Sequence, residues 1–107
     1  MSTESEYSIC LITCSPKQSK KISRSLVEKK LVACVNIISK ITSIYRWKEK
    51  VEEDIEDLLV CKTLSGNQEK IITQVKQIHE YDVPETIFLP ILKGNKDYLK
   101  WIVENVE

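Results

Sequence analysis

Residues 33–63 hold two long runs rich in β-branched and aromatic residues, ACVNIISKITSIYRW and VEEDIEDLLVCKT, parted only by Lys48-Glu49-Lys50. Such runs about a short polar break predict a β-hairpin, with strands over 33–47 and 51–63 and the turn at Lys48-Glu49-Lys50. A strand of about 15 residues reaches roughly 50 Å. A compact chain of 107 residues has a diameter of only about 35 Å. The hairpin must therefore project beyond its own core. A two-stranded projection carrying Tyr45 and Trp47 is marginal alone in water, so the hairpin reads as an oligomer interface whose charges set register and partner.

The flanking segments supply the rest of the domain. YSICLITC at 7–14 is a buried strand by its apolar run. Ser15-Pro16 then offers an N-cap and a first-turn proline for a helix over 16–30, with Ile22, Leu26 and Val27 as its apolar stripe. Lys17, Lys20, Lys21 and Arg24 line another face of that helix, and solvation is the favoured reading of them. Ile71, Ile72, Val75 and Ile78 recur at helical spacing over 67–78, and His79 stands where it meets the last helical carbonyls. TIFLPIL forms a last strand whose Pro90 places it at a sheet edge or bulge. Gly94-Asn95 then turns into a short amphipathic helix. The order β-α-β-β-α-β plus a C-terminal helix predicts an α+β, ferredoxin-like sandwich with helices on one sheet face. The whole chain, 1–107, reads as one domain, with 1–6 as a flexible tail.

Several functions are excluded or made unfavourable. Sixteen basic and 16 acidic side chains leave no net charge, which argues against nucleic acid as a partner. RNA-binding domains of the same strand order need stacking aromatics on the third strand, where IEDLLVCK brings acids. No apolar run reaches the 18 or so residues of a membrane span, and MSTESEY lacks the features of a signal peptide, so the cytoplasm is the expected compartment. Cys10, Cys14, Cys34 and Cys61 form no CxxC pair and lie in apolar stretches, as reduced buried thiols do. With only two glycines there is no phosphate-cradling loop. A Cys–His nucleophile pair is disfavoured on a buried strand, so no enzyme is expected.

Three blocks, LVACVNI, TSIYRWKEKVEED and LLVCKT, followed by IHEYDVPE and LPILKGNKDYLKWI, closely resemble the CutA (CutA1) divalent-cation tolerance proteins. The resemblance runs from about Tyr7 to Val103. It implies a homotrimer built through the long hairpin, PII-like in architecture, with a role in tolerance of or response to divalent metal, copper foremost, and no organic cofactor. The chain departs from the family pattern in places. Ser39-Lys40 stands where many members have Pro-Gly, and Glu80 follows His79 where many have proline. Metal sites proposed in some bacterial members use a cysteine near the end of the first strand and two histidines. Thr13 falls at that cysteine position with Cys14 beside it, and Ile78 replaces the first histidine.

Cys14 and His79 are thus the candidate metal ligands, the copper- or zinc-preferring types, against structural roles as core thiol and helix cap. The alternative is a PII-like signalling or adaptor trimer without specific metal binding. For it, Ser43, Tyr45, Trp47, Glu53, Lys62, His79 and Tyr81 would line an intersubunit cleft offering one cation, one acid and stacking rings to a small anionic ligand. The competing reading has Tyr45 and Trp47 packing the trimer interface.

Overall fold

Alternate residues of β1 (Tyr7–Cys14) are buried, with Ser8, Cys10, Ile12 and Cys14 inward. That period of two places β1 inside a four-stranded antiparallel sheet of order β2-β3-β1-β4, where β2 is Cys34–Trp47, β3 Lys50–Leu64 and β4 Thr86–Pro90. The computed structural model describes residues 5–107. The helices α1 (Ser19–Glu28) and α2 (Gln68–Ile78) cover one sheet face, and a third helix, α3 (Lys96–Glu104), closes the chain. Ile22 and Leu26 of α1, and Ile71 and Val75 of α2, meet Cys10, Ile12, Cys14, Leu59 and Cys61 in the core. This is the ferredoxin-like order expected, and Pro90 ends an edge strand as its missing N–H requires.

α1 and α2 leave the other face open, and α3 reaches it at Cys34, whose Sγ lies 3.6 Å from the Tyr98 hydroxyl. Strand alternation and register put Ile9 and Leu11 of β1, Leu58 and Val60 of β3, Ile38 of β2, and Ile87 and Leu89 of β4 on it together. Ile38, Ile87 and Leu89 are nearly half exposed there.

Pairing of β1 with β3 stops at Cys14↔Asp57, beyond which Ile41–Trp47 and Lys50–Glu56 pair only with each other. This two-stranded ribbon stretches the molecule to 44 Å along one axis against 34 and 23 Å along the others. The turn is tighter than expected: Lys50 pairs with Trp47, leaving Lys48-Glu49 as a two-residue loop. Their φ values of 50° and 68° give it the primed geometry that matches the twist of the flanking strands. A bulge between Ile38 and Ile41 bends β2 at its base, with Lys40 at φ 58°. The Lys40 N–H donates to Oδ1 of Asp57 at 3.0 Å, and Asp57 is only 3% exposed. A buried carboxylate thus holds a left-handed lysine at the bend where Ser39-Lys40 replaces Pro-Gly.

Local expectations change elsewhere. α1 starts at Ser19, not Pro16, because Ser15–Gln18 closes a turn in which the Gln18 N–H donates to the Ser15 carbonyl at 3.0 Å. It ends at Glu28 and is followed by left-handed Lys30, with Lys30 N–H to Val27 O and Leu31 N–H to Leu26 O. Val27 is 40% exposed, so the inward stripe is Ile22 and Leu26 with Ser19 and Ser23. Cys34 is only half-buried, unlike Cys10, Cys14 and Cys61, and all four thiols are free. Asn95 caps α3 as expected, Oδ1 accepting from the Asp97 and Tyr98 N–H groups. Part of the expected tail over 1–6 lies outside the described residues. Ser5 and Glu6, however, are tied down, since Ser5 Oγ donates to the Ile91 carbonyl at 2.7 Å and the Ser65 N–H to the Glu6 carbonyl at 2.7 Å.

Glycine adopts a positive φ freely, so Lys40→Gly is expected to raise stability by about 1 kcal/mol. Asp57→Ala, which removes the acceptor, is expected to lower it by about 1–3 kcal/mol. Urea midpoints at neutral pH check both.

Candidate cleft between the ribbon and the loop after α2

The loop leaving α2 is pinned by His79, which is 8% exposed. Its Nε2 lies 2.8 Å from the Thr13 carbonyl, and its Nδ1 accepts the Tyr81 N–H at 3.1 Å. Those partners define a neutral ring that donates from Nε2 and accepts at Nδ1. His79 is the C-cap of α2, its N–H donating to the Val75 carbonyl at 2.8 Å, but its ring ties the loop to the end of β1 and not to the carbonyls of α2. The rings of His79 and Tyr81 lie 4.5 Å apart, and the Tyr81 hydroxyl donates to Oε2 of Glu56 at 2.9 Å. Strand end, loop and ribbon base are thereby joined.

Between loop and ribbon opens a cleft of about 680 Å³. Its ring-bearing walls are Tyr45, Trp47 and Tyr81, and its carboxylates are Asp54, Glu56, Glu80, Asp82 and Glu85; Thr13, Ser43, Ile44 and Val83 complete it. Among the described residues no Lys, Arg or His lines it. The ribbon register explains most of the lining: Ser43 faces Asp54 and Tyr45 faces Glu52, so rings and acids share one face, while Val51 and Ile55 occupy the other. The Tyr45 hydroxyl donates to Oδ2 of Asp54, and this bond, with burial and neighbouring carboxylates, pushes the phenol up to about 12. Burial, then the Glu56 bond, also raises Tyr81.

Of the cleft residues read from the sequence, Ser43, Tyr45, Trp47 and Tyr81 come together. His79 stands behind them as the loop's anchor. Glu53 pairs with Ile44 across the ribbon, its side chain on the opposite face. Lys62 lies at the far end of β3 opposite Cys34, where its Nζ donates to Oδ1 of Asn36. The cation expected for an anionic ligand is therefore absent from the cleft of one chain. Sequence reasoning marked Asp54 and Glu56 within the acidic run Glu52, Glu53, Asp54, Glu56 and Asp57 as able to attract cations, but missed Glu80, Asp82 and Glu85 beside them. The even-numbered acids of VEEDIED were the available signal, but the loop acids carried none.

Cys14 points into the core, whereas Thr13, one residue earlier, lines the cleft. Burial, followed by the charges of Asp57, Glu56 and Glu80, pushes the Cys14 thiol up to about 11. A hydrogen bond with the opposing Cys10, then burial, raises the Cys61 thiol. Among the described residues no group of three or more His, Cys, Asp or Glu side chains is placed to hold a metal ion. Cys14 and His79 do not by themselves form a coordination site.

The fold and cleft define a class: a one-domain ferredoxin-like α+β protein with a projecting hairpin and an acidic, aromatic-walled cleft at its base. A family model described as CutA1 divalent ion tolerance protein matches residues 8–105. The chain belongs to the CutA1 family. It is 50% identical over 96 residues to the Protein CutA homolog of Xenopus laevis, covering 89% of this chain and 64% of that relative. It is 47% identical over 98 residues to the divalent-cation tolerance protein CutA of Thermus thermophilus, covering 91% of this chain and 95% of that one. The chain spans 56% of the human Protein CutA, at 46% identity over 101 residues. Among solved structures, CutA1 from Oryza sativa superposes with a TM-score of 0.93 at 39% identity, covering 99% of this chain and 98% of that one. Relatives include proteins named as chloroplastic in Arabidopsis thaliana and periplasmic in Archaeoglobus fulgidus. No helix among the described residues is long and apolar enough to cross a membrane.

The raised Cys14 thiol sets a pH dependence. Its folded state holds the proton more tightly than the unfolded state, so its contribution is complete below pH 9 and lost as pH rises through about 11. Urea midpoints between pH 8 and 11 are expected to fall with pH, and Cys14→Val to flatten the fall.

Proposed function

We propose that this chain works as a non-catalytic homotrimer in the cellular tolerance of divalent metal, with copper the foremost candidate. The observation that carries the assembly is the apolar sheet face of Ile9, Leu11, Ile38, Leu58, Val60, Ile87 and Leu89 that α1 and α2 leave open, together with Ile44 and Val51 on the opposite face of the ribbon, each about two-thirds exposed. A patch of that size needs cover, and fully burying each such side chain is worth about 1.5–3 kcal/mol. Three copies packing these faces about an axis, as in the PII-like architecture the family resemblance implies, would bury them. The metal link comes from the family, whose Thermus member carries divalent-cation tolerance in its name. Within one chain the Cys14 thiol is buried and both His79 nitrogens are engaged, so on this reading a metal site forms where copies meet. The free thiols support a reducing compartment, the cytoplasm.

The cleft supports a second reading, a small-ligand-responsive trimer. Its volume is that of a small-molecule pocket.

Native mass spectrometry of the reduced protein, titrated with Cu(I), Cu(II) and Zn(II), tests both. A trimer is expected at micromolar concentration, with Leu89→Lys shifting it to monomer. Stoichiometric metal that is lost in His79→Ala supports the metal reading, whereas a metal-free trimer leaves the second.

A further inference from the structure

We infer that Cys10 and Cys61 form a redox switch, joined by hydrogen peroxide into a reversible disulfide across the two central strands. The pair lies inside one chain, between the sheet and the helices, so it is present whatever the assembly and whatever the ligand.

Register is the first reason. Cys10 of β1 stands directly opposite Cys61 of β3, both side chains turned to the core, and the two thiols share a hydrogen bond. Neither of the other cysteines meets a thiol across the sheet: Cys14 stands opposite Asp57, and Cys34 opposite Lys62 on the other sheet face. Thiols can serve a core as small apolar groups wherever they fall, but only two opposed in register can be bonded.

The kind of pair is the second. One level beyond Tyr7↔Leu64, the Ser65 N–H donates to the Glu6 carbonyl, which marks that level as a hydrogen-bonded pair. The type alternates along an antiparallel ladder, so Cys10↔Cys61, four levels on, is hydrogen-bonded too. The Cα atoms of such a pair lie about 5.5 Å apart, within the span of a disulfide. Its Cβ atoms also stand about 5.5 Å apart, whereas a disulfide holds them at about 3.8 Å. Closing the bond therefore strains the strands, and strained disulfides are the readily reduced, regulatory kind.

Burial sets the route. Neither residue is exposed, and the hydrogen bond to Cys10, then burial, makes the Cys61 thiol hold its proton more tightly. The thiolate is the reacting form, so oxidation proceeds from a locally opened state. There one sulfur attacks a peroxide oxygen, breaking the O–O bond and leaving a sulfenic acid and one water. The second sulfur then displaces the sulfenic oxygen as a second water and forms the S–S bond. The two thiols lose two electrons, and the peroxide gains them.

Hydrogen peroxide treatment of the reduced full chain at neutral pH, followed by thiol blocking in denaturant and mass spectrometry, tests this. Two of the four free thiols are expected to disappear, with peptide maps joining Cys10 to Cys61 and reduced glutathione restoring all four. Urea below the unfolding midpoint is expected to speed the loss by about tenfold or more, as an opening route requires. Cys10→Ala and Cys61→Ala are each expected to abolish it, and Cys34→Ala to leave it unchanged. Four persistent thiols, a bond through Cys14 or Cys34, sulfinic or sulfonic acid in place of a disulfide, or a disulfide that glutathione fails to reduce would overturn the switch. A rate that urea leaves unchanged would place the reaction at an exposed thiol and overturn it as well.

Discussion

The bond from the Lys40 N–H to Asp57 fixes which way the projecting ribbon faces. Before the bulge, Ile38 stands opposite Leu58; after it, Ile41 stands opposite Glu56, so β2 has advanced three residues while β3 advances two. That extra residue reverses the facing of every later side chain of β2 relative to β3. Tyr45 and Trp47 consequently share a face with Asp54 and Glu52. In an unbroken ladder they would lie with Val51 and Ile55, and the cleft would have neither its rings nor its present mixture of rings and acids. One backbone hydrogen bond to a buried carboxylate thus stands upstream of the site.

The two faces of the ribbon then have different uses. The face with Ile44, Val51 and Ile55 is apolar and exposed, the chemistry of a subunit contact. The face with Tyr45, Trp47 and Asp54 is amphipathic and looks toward the loop held by His79. The helix-covered sheet provides the rigid base for both, because Cys14 and Asp57 end β1 and begin the free ribbon at the same level. His79 secures the loop from the strand side, and Tyr81 from the ribbon side.

Much of this was legible in the chain itself. The apolar run at 7–14, the length of the two runs about Lys48-Glu49-Lys50, and the helical spacing of Ile71 and Val75 gave the element order and the sandwich. Tyr45, Trp47 and Tyr81 were read as lining a cleft between subunits, and within one chain they stand together beside the acids of the ribbon and loop. What escaped reading depended on backbone geometry with no composition signal. Ser39-Lys40, standing where the family pattern has Pro-Gly, pointed to a bulge, but a lysine at positive φ is not announced by its neighbours, so the face of each ribbon residue was open. Lys62 and Glu53 were grouped with the three rings because the family blocks retain them, and within one chain register directs them away from that group. The role of His79 was legible only in part for a similar reason: helix-end position gave the cap, while the Thr13 carbonyl that its ring meets lies 66 residues away along the chain.

Pro90 carries a consequence of another kind. β4 is the outer strand of the sheet, five residues long, and it ends on a residue with no N–H to offer. A long bare edge would let copies add strand to strand without limit, the route to fibres. This edge is too short and too poor in donors to template such growth. Association through the neighbouring apolar face is therefore steered toward a finite closed particle, and solubility becomes a property of where the last strand stops.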